Sequence, residues 1–136
     1  MQKLYISPTI TSPEINLSPE ENIFSISGIS SPEDVRRIYY PVFEWIKEFT
    51  DELISGKNNN TIYNEDSPFR LRIDLMYFNS SSAKFLFDIF VELKRLGPAR
   101  IPYDIEWLYD KEDTDLREAG EDIASIAEMD FSFIPK

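Results

Sequence analysis

The stretch from Phe69 to Gly97 constrains the fold most, because two apolar elements of different periodicity follow each other directly in it. Residues 69–78 (FRLRIDLMYF) first alternate apolar and polar side chains and then become continuously apolar. This pattern is typical of a strand whose far end runs deep into the core. Residues 83–97 (AKFLFDIFVELKRLG) form a helix that is apolar nearly all round and ends at Gly97-Pro98. Such a unit predicts a right-handed crossover to a parallel strand.

The first half of the chain predicts a hairpin and a long helix. Two short β-favouring runs, Ile15–Leu17 and Ile23–Ile26, flank a polar turn and predict an antiparallel hairpin. An apolar stripe with three- and four-residue steps then predicts a helix with Ser31 as its N-cap and Gly56 as its end. The polar residues 57–68 that follow predict a loop.

The second half completes an α/β fold. Residues 101–110 (IPYDIEWLYD) predict a further strand, and DTDLREAGEDIASIAEM predicts an acidic closing helix. The final FSFIP is a short apolar tail that we expect to pack back on the sheet. The predicted order is therefore β-β-α-β-α-β-α: a mixed four-stranded sheet packed with about three helices. With 136 residues and no internal repeat, the chain is expected to form a single domain, 1–136.

Two features of the composition exclude most enzyme classes and several partners. The chain has no His and no Cys, which removes Ser-His-Asp triads, cysteine nucleophiles and imidazole or thiolate metal sites. Its formal net charge of −11 disfavours nucleic acid and anionic membrane as partners. We therefore expect a protein partner. No apolar run is long enough to span a bilayer and the N-terminus shows no signal-peptide pattern, so a cytoplasmic location is expected.

Three consecutive serines, Ser80, Ser81 and Ser82, lie at the junction between the predicted strand and the apolar helix. One interpretation is a helix N-cap, in which a serine hydroxyl accepts a hydrogen bond from a free amide and Asn79 is able to make the same bond. The other is a chemical use of one hydroxyl. The carboxyl end of a strand and the amino end of a helix favour an anion, so a phosphate is tolerated there.

Three stretches of the chain resemble the SiaC family of bacterial regulatory phosphoproteins. They are LRIDLMYFNSSSAKFLFDIFVEL, ISGISSPEDVRRIYYPVFEWI and WLYDKEDTDLREAGEDI. The layout is also similar to that of anti-sigma-factor antagonists of the STAS type, in which a serine of an Asp-Ser-Ser turn is phosphorylated. By position, the resemblance implies Ser80 as the phosphoacceptor, flanked by Asn79, Ser81 and Ser82. Members of the family usually carry threonine at the position of Ser80, and the choice between Ser80 and Ser81 stays open.

The resemblance also implies a function. A SiaC-like protein is a non-enzymatic switch that, when unphosphorylated, binds and activates a diguanylate cyclase and so promotes cyclic di-GMP synthesis and biofilm formation. Its other partners would be a Ser/Thr kinase of the anti-sigma type and a metal-dependent phosphatase. An anti-sigma-factor-antagonist role is the nearest alternative.

Two further groups of residues bear on function. Tyr40 falls off the apolar stripe of the first long helix, unlike Tyr39 and Phe43, so we expect it to be exposed as part of a partner surface. The acidic C-terminal region offers a rival hypothesis, a small carboxylate-dependent enzyme or ligand-binding domain. Its side chains are Asp110, Asp113, Asp115, Glu118, Glu121 and Asp122. The region lacks the glycine of a Ca²⁺ loop and is typical of the first turns of a helix, so we predict no metal site and no cofactor.

Overall fold

Six strands form one sheet in a computed structural model that describes residues 1–56 and 62–136. The strands are β1 (Leu4–Ile6), β2 (Glu14–Ser18), β3 (Ile23–Ser30), β4 (Phe69–Phe78), β5 (Tyr103–Tyr109) and β6 (Ser132–Pro135). The helices are α1 (Val35–Ser55), α2 (Ser80–Leu93) and α3 (Thr114–Ala127), with a short 3₁₀ turn at Lys94–Leu96.

The strands lie side by side in chain order, and their directions follow from the connections. β1, β2 and β3 pair antiparallel, as hairpins do, whereas β3, β4, β5 and β6 pair parallel. Each parallel pair is joined by one helix. Right-handed crossovers that all advance in the same direction place α1, α2 and α3 on the same face of the sheet. The predicted mixed α/β domain with three helices, an antiparallel hairpin and parallel later strands is confirmed.

The predicted number of four strands is wrong, because two short edge strands were not assigned. β1 has only three residues, too few to show an alternating pattern, and is recognised through its pairing with β2. β6 is the apolar tail, which packs back on the sheet beside β5 as a four-residue strand. Both are short, and β6 ends in a proline, which is how exposed sheet edges are commonly protected from further pairing.

The core lies between the sheet and the helices. Phe69, Leu71, Ile73 and Leu75 of β4 are buried on the helix side, and their polar neighbours face the other way. The predicted deep burial of the far end of this strand is wrong, because Met76 is 64% exposed and Tyr77 is 55% exposed. The pairing register with β3 shifts at this level, so the alternation slips before the strand ends.

The first helix begins later than predicted. Its N-cap is Asp34, whose carboxylate accepts a hydrogen bond from the amide of Arg37 at 3.3 Å. Ser31 is not the cap, because its own amide donates to the carbonyl of Thr11 at 2.8 Å and keeps the chain extended beyond β3. Gly56 ends the helix as predicted, in the left-handed conformation with φ at 66°. Residues 57–61 of the predicted polar loop lie outside the described residues.

The closing helix lies very close to the sheet at Gly120. The indole nitrogen of Trp107, a buried residue of β5, donates a hydrogen bond to the carbonyl of Leu116 at 3.1 Å. A Cβ atom at Gly120 would be 2.6 Å from the Trp107 ring. The missing side chain is therefore what lets α3 rest on this indole. No helix in residues 1–56 or 62–136 is long and apolar enough to span a bilayer.

Candidate phosphorylation site and adjoining groove

The serine triplet lies at the carboxyl end of β4 and forms the first turn of α2. β4 ends at Phe78 and α2 begins at Ser80, so the residue between them, Asn79, is the N-cap. Its side-chain oxygen accepts a hydrogen bond from the amide of Ser82 at 2.9 Å. The helix is thus capped by the asparagine and not by a serine hydroxyl, which leaves the three hydroxyls to be explained separately.

The three hydroxyls have different environments. Ser80 and Ser81 are exposed, whereas Ser82 is completely buried. The Ser82 hydroxyl donates to the backbone carbonyl of Ser30 at 2.9 Å and accepts from the Ser30 hydroxyl at 2.8 Å. Ser82 is thereby committed to the interior, and only the first two serines of the triplet present a hydroxyl to solvent.

A third buried hydroxyl extends this chain to the first helix. The oxygens of Tyr39 and Ser30 are 2.6 Å apart, and since the Ser30 proton is used toward Ser82, the tyrosine must be the donor. Burial raises the pKa of Tyr39 to about 12. Tyr39 is therefore a neutral donor at ordinary pH. The chain of hydroxyls joins α1, β3 and the start of α2.

Replacing Ser82 with alanine is expected to destabilise the protein far more than the same change at its neighbours. Ser82→Ala removes both of its bonds to Ser30 and leaves the buried Ser30 hydroxyl without the acceptor of its proton, at a cost of about 1–3 kcal/mol. Ser80→Ala and Ser81→Ala alter exposed hydroxyls and should stay within roughly 0.5 kcal/mol of the parent. Urea unfolding of the three variants measures this. Equal effects at all three positions would contradict the assigned roles.

A groove between α1 and α2 opens beside the exposed serines, with a volume of about 580 Å³. It is lined by Val35, Arg36, Tyr40, Phe43, Glu44, Ser81, Lys84, Phe85 and Asp88. Tyr40 is 56% exposed, as predicted from its position off the apolar stripe, and its ring lies 6.5 Å from that of Phe85. Tyr39, by contrast, is buried and stacks on the same phenylalanine at 5.8 Å. The structure thus brings the serine turn and the Tyr40 surface to one place.

The charges along this groove balance. Arg36 and Lys84 lie toward the amino ends of the two helices, and Glu44 and Asp88 lie two turns or one turn further on. The ammonium of Lys84 is 3.5 Å from the carboxylate of Asp88. Two cations against two anions give the lining no formal net charge, in a protein whose total is −11. The groove is therefore a nearly neutral, partly aromatic surface on a strongly acidic molecule.

Two carboxylates of the acidic C-terminal region accept hydrogen bonds from backbone amides at the start of α3. Asp113 is the N-cap of α3 and accepts from the amide of Leu116 at 3.0 Å, while Asp110 accepts from the amide of Glu112 at 2.9 Å. An open cleft of about 550 Å³ adjoins them. Across residues 1–56 and 62–136, no group of three carboxylates is placed to hold a metal ion. The helix-start interpretation of this region agrees with the structure.

Sequence reasoning missed Ser30 and Lys84 as parts of the site. Ser30 lies 52 residues from Ser82, so only the parallel pairing of β3 and β4 brings them together. The position of Lys84, four residues after Ser80, is a signal that the sequence does carry, because residues at this spacing are neighbours on a helix.

Comparison with known proteins agrees with the resemblance drawn from the motifs. Residues 6–136 match the model of the SiaC family of regulatory phosphoproteins. The chain is 26% identical over 132 residues to an uncharacterized protein of Pseudomonas aeruginosa (strain UCBPP-PA14), covering 97% of this chain and 95% of that one.

Solved structures give the same result for the fold. Apo-SiaC from Pseudomonas aeruginosa superimposes with a TM-score of 0.77 at 24% identity, covering 100% of this chain and 99% of that one. SiaC in a complex of the diguanylate cyclase SiaD with its activator SiaC, from the same organism, superimposes with a TM-score of 0.76 at 24% identity, covering 97% of each chain. Since the family model spans nearly all of its residues, this chain belongs to the SiaC family of regulatory phosphoproteins.

Proposed function

We propose that this protein is a phosphorylation-controlled activator of a diguanylate cyclase. The unphosphorylated form binds the cyclase and promotes cyclic di-GMP synthesis, and with it biofilm formation. A Ser/Thr kinase of the anti-sigma type modifies Ser80 and ends the activation, and a metal-dependent phosphatase restores it. The protein itself catalyses nothing and needs no cofactor. Because its kinase consumes ATP, the exchange takes place in the cytoplasm.

Membership of a family of regulatory phosphoproteins supports both halves of this proposal. A phosphoprotein carries an acceptor side chain, and the SiaC of the complex described above is the activator of a cyclase. A fold shared with that activator makes a cyclase the natural partner for this chain as well.

The single observation that carries the proposal is the position of Ser80. It is exposed at the amino end of α2, directly before Ser81, which lines the groove that holds the exposed Tyr40 ring. A kinase is able to reach this hydroxyl without unfolding the protein. A phosphate there would adjoin a charge-balanced groove on this acidic chain, where a protein partner meets no repulsive net charge.

The proposal is tested by enzyme activity. Each diguanylate cyclase of the protein's own organism is assayed for cyclic di-GMP production with and without the purified unphosphorylated protein. We expect one of them to be stimulated severalfold, and the stimulation to disappear after phosphorylation of Ser80. If none responds, and the protein instead displaces a sigma factor from its inhibitor, it works like the anti-sigma-factor antagonists.

Removal of the exposed aromatic ring should weaken cyclase binding. Aromatic side chains at the centre of an interface commonly dominate its affinity, so Tyr40→Ala is expected to weaken binding about tenfold or more. Tyr5→Ala is the control, because Tyr5 is 49% exposed on the sheet face that the helices leave uncovered. Calorimetric titration of both variants measures the difference. Unchanged affinity of Tyr40→Ala would place the interface elsewhere.

A further inference from the structure

Ser80, Lys84 and Asp88 form a single row on α2. Each is four residues from the next, the spacing at which helical side chains are neighbours. In the unmodified protein Lys84 has its partner on the carboxyl side, with its ammonium 3.5 Å from the Asp88 carboxylate. On the amino side its neighbours at helical spacing are Ser80 and Ser81, both neutral. Lys84 therefore lies between the Asp88 carboxylate and the position that a phosphate on Ser80 would occupy.

The existing pair is weak enough to be exchanged. The side chains of Lys84 and Asp88 are 75% and 39% exposed, so solvent screens their attraction. A phosphate on Ser80 would carry roughly −1.5 to −2 charges at neutral pH, against one for the aspartate. It would also stand four residues before the lysine, the favourable order of an anion and a cation along a helix. On charge and on orientation, the phosphate is the stronger partner.

We propose that Lys84 is the intramolecular counter-ion of phosphorylated Ser80 and leaves Asp88 when the phosphate is added. This inference rests on the proposed function for the modification of Ser80. It adds a residue, Lys84, that forms an ion pair with the phosphate within the protein, before any partner binds. The other cation of the groove, Arg36, belongs to α1.

The exchange would change the groove in two ways at once. Before modification, Arg36 and Lys84 balance Glu44 and Asp88. Afterwards the phosphate adds its charge at the amino end, and Asp88 loses its partner one turn further along. A partner that fits the neutral groove then meets an acidic surface along its length. Phosphorylation would thus act over a wider area than the modified side chain itself covers.

The test uses the full chain with phosphoserine installed at position 80 during synthesis. The second ionisation of the phosphate, near pH 6 in a free phosphoserine, is followed by ³¹P NMR as a function of pH. A nearby cation favours the dianion, so Lys84→Gln is expected to raise the pKa of the phosphate by roughly 0.3–0.7 of a pH unit. Lys47→Gln is the matched control, because Lys47 is exposed on α1 and does not line the groove. It should leave the titration unchanged.

A second arm uses Arg36→Gln in the same phosphorylated background. A larger shift from Arg36→Gln than from Lys84→Gln would overturn the proposal, as would equal shifts from Lys84→Gln and Lys47→Gln. The test is independent of the cyclase and the kinase, because the phosphate is installed chemically. If the ³¹P titration contradicts the role of Lys84, control of the cyclase by phosphorylation of Ser80 is unaffected. If the cyclase assay fails, the proposed function itself is contradicted.

Discussion

Phosphorylation of Ser80 is expected to weaken cyclase binding on the order of 30-fold while leaving the protein folded. A unit charge about 4 Å from a partner carboxylate costs on the order of 4 kcal/mol at an effective dielectric near 20. Half of that corresponds to roughly 30-fold, since each 1.4 kcal/mol is a factor of ten. The same phosphate gains about 0.3–1 kcal/mol at the amino end of α2, so the fold should not melt. Calorimetric titration and melting temperatures of both forms measure the two effects.

Variants at the same position separate charge from the loss of the hydroxyl. Ser80→Ala should bind the cyclase like the parent and resist inactivation by the kinase. Ser80→Asp, with one charge and two oxygens, should weaken binding only in part. Ser81→Asp is the control one residue further along the exposed turn. If Ser81→Asp weakens binding and Ser80→Asp does not, the phosphoacceptor is Ser81; if neither does, the turn has no switching role.

Gly120→Ala is expected to cost about 1–3 kcal/mol of stability, as overpacking of a well-filled core commonly does. Its Cβ would be 2.6 Å from two atoms of the Trp107 ring, a residue that is almost fully buried and so has little room to move. α3 would have to lift off the sheet or the indole would have to turn. Chemical denaturation of the variant measures the loss.

Gly97→Ala serves as the matched control for this change. A Cβ at Gly97 would meet its nearest atom, the carbonyl oxygen of Lys94, at 3.4 Å, and the backbone there has a helical φ of −57°. We expect that substitution to be nearly neutral. A loss at Gly97 as large as that at Gly120 would mean that the contact with Trp107 does not explain the result.

The sequence predicted elements whose signals are local and missed those that depend on distant partners. β4 was assigned with its observed bounds, because alternation and an apolar run are both contained in ten residues. β1 depends on β2 for its hydrogen bonds, and three residues carry no pattern of their own. The start of α1 was misplaced because Ser31 looks like a cap, but its amide is held by Thr11, twenty residues earlier.

The candidate site divides in the same way. The exposure of Tyr40 and the position of the serine turn follow from helical periodicity and from the end of a strand, and both agree with the structure. The different roles of three identical neighbours do not follow from local pattern. Ser82 is buried because its hydroxyl bonds to Ser30 of β3, which in turn bonds to Tyr39 of α1, and neither contact is visible before the sheet is assembled.

The most direct test of the phosphorylation switch is the mass of the protein isolated from its own cells, with the modified residue mapped by peptide fragmentation. Cultures in free-swimming and in biofilm growth are compared, with the Ser80→Ala strain as reference. We predict a single phosphoryl group on Ser80 in the free-swimming cells, less of it in the biofilm, and none in the Ser80→Ala strain. A protein that carries no phosphate in either state, or carries it on another residue, would contradict the account.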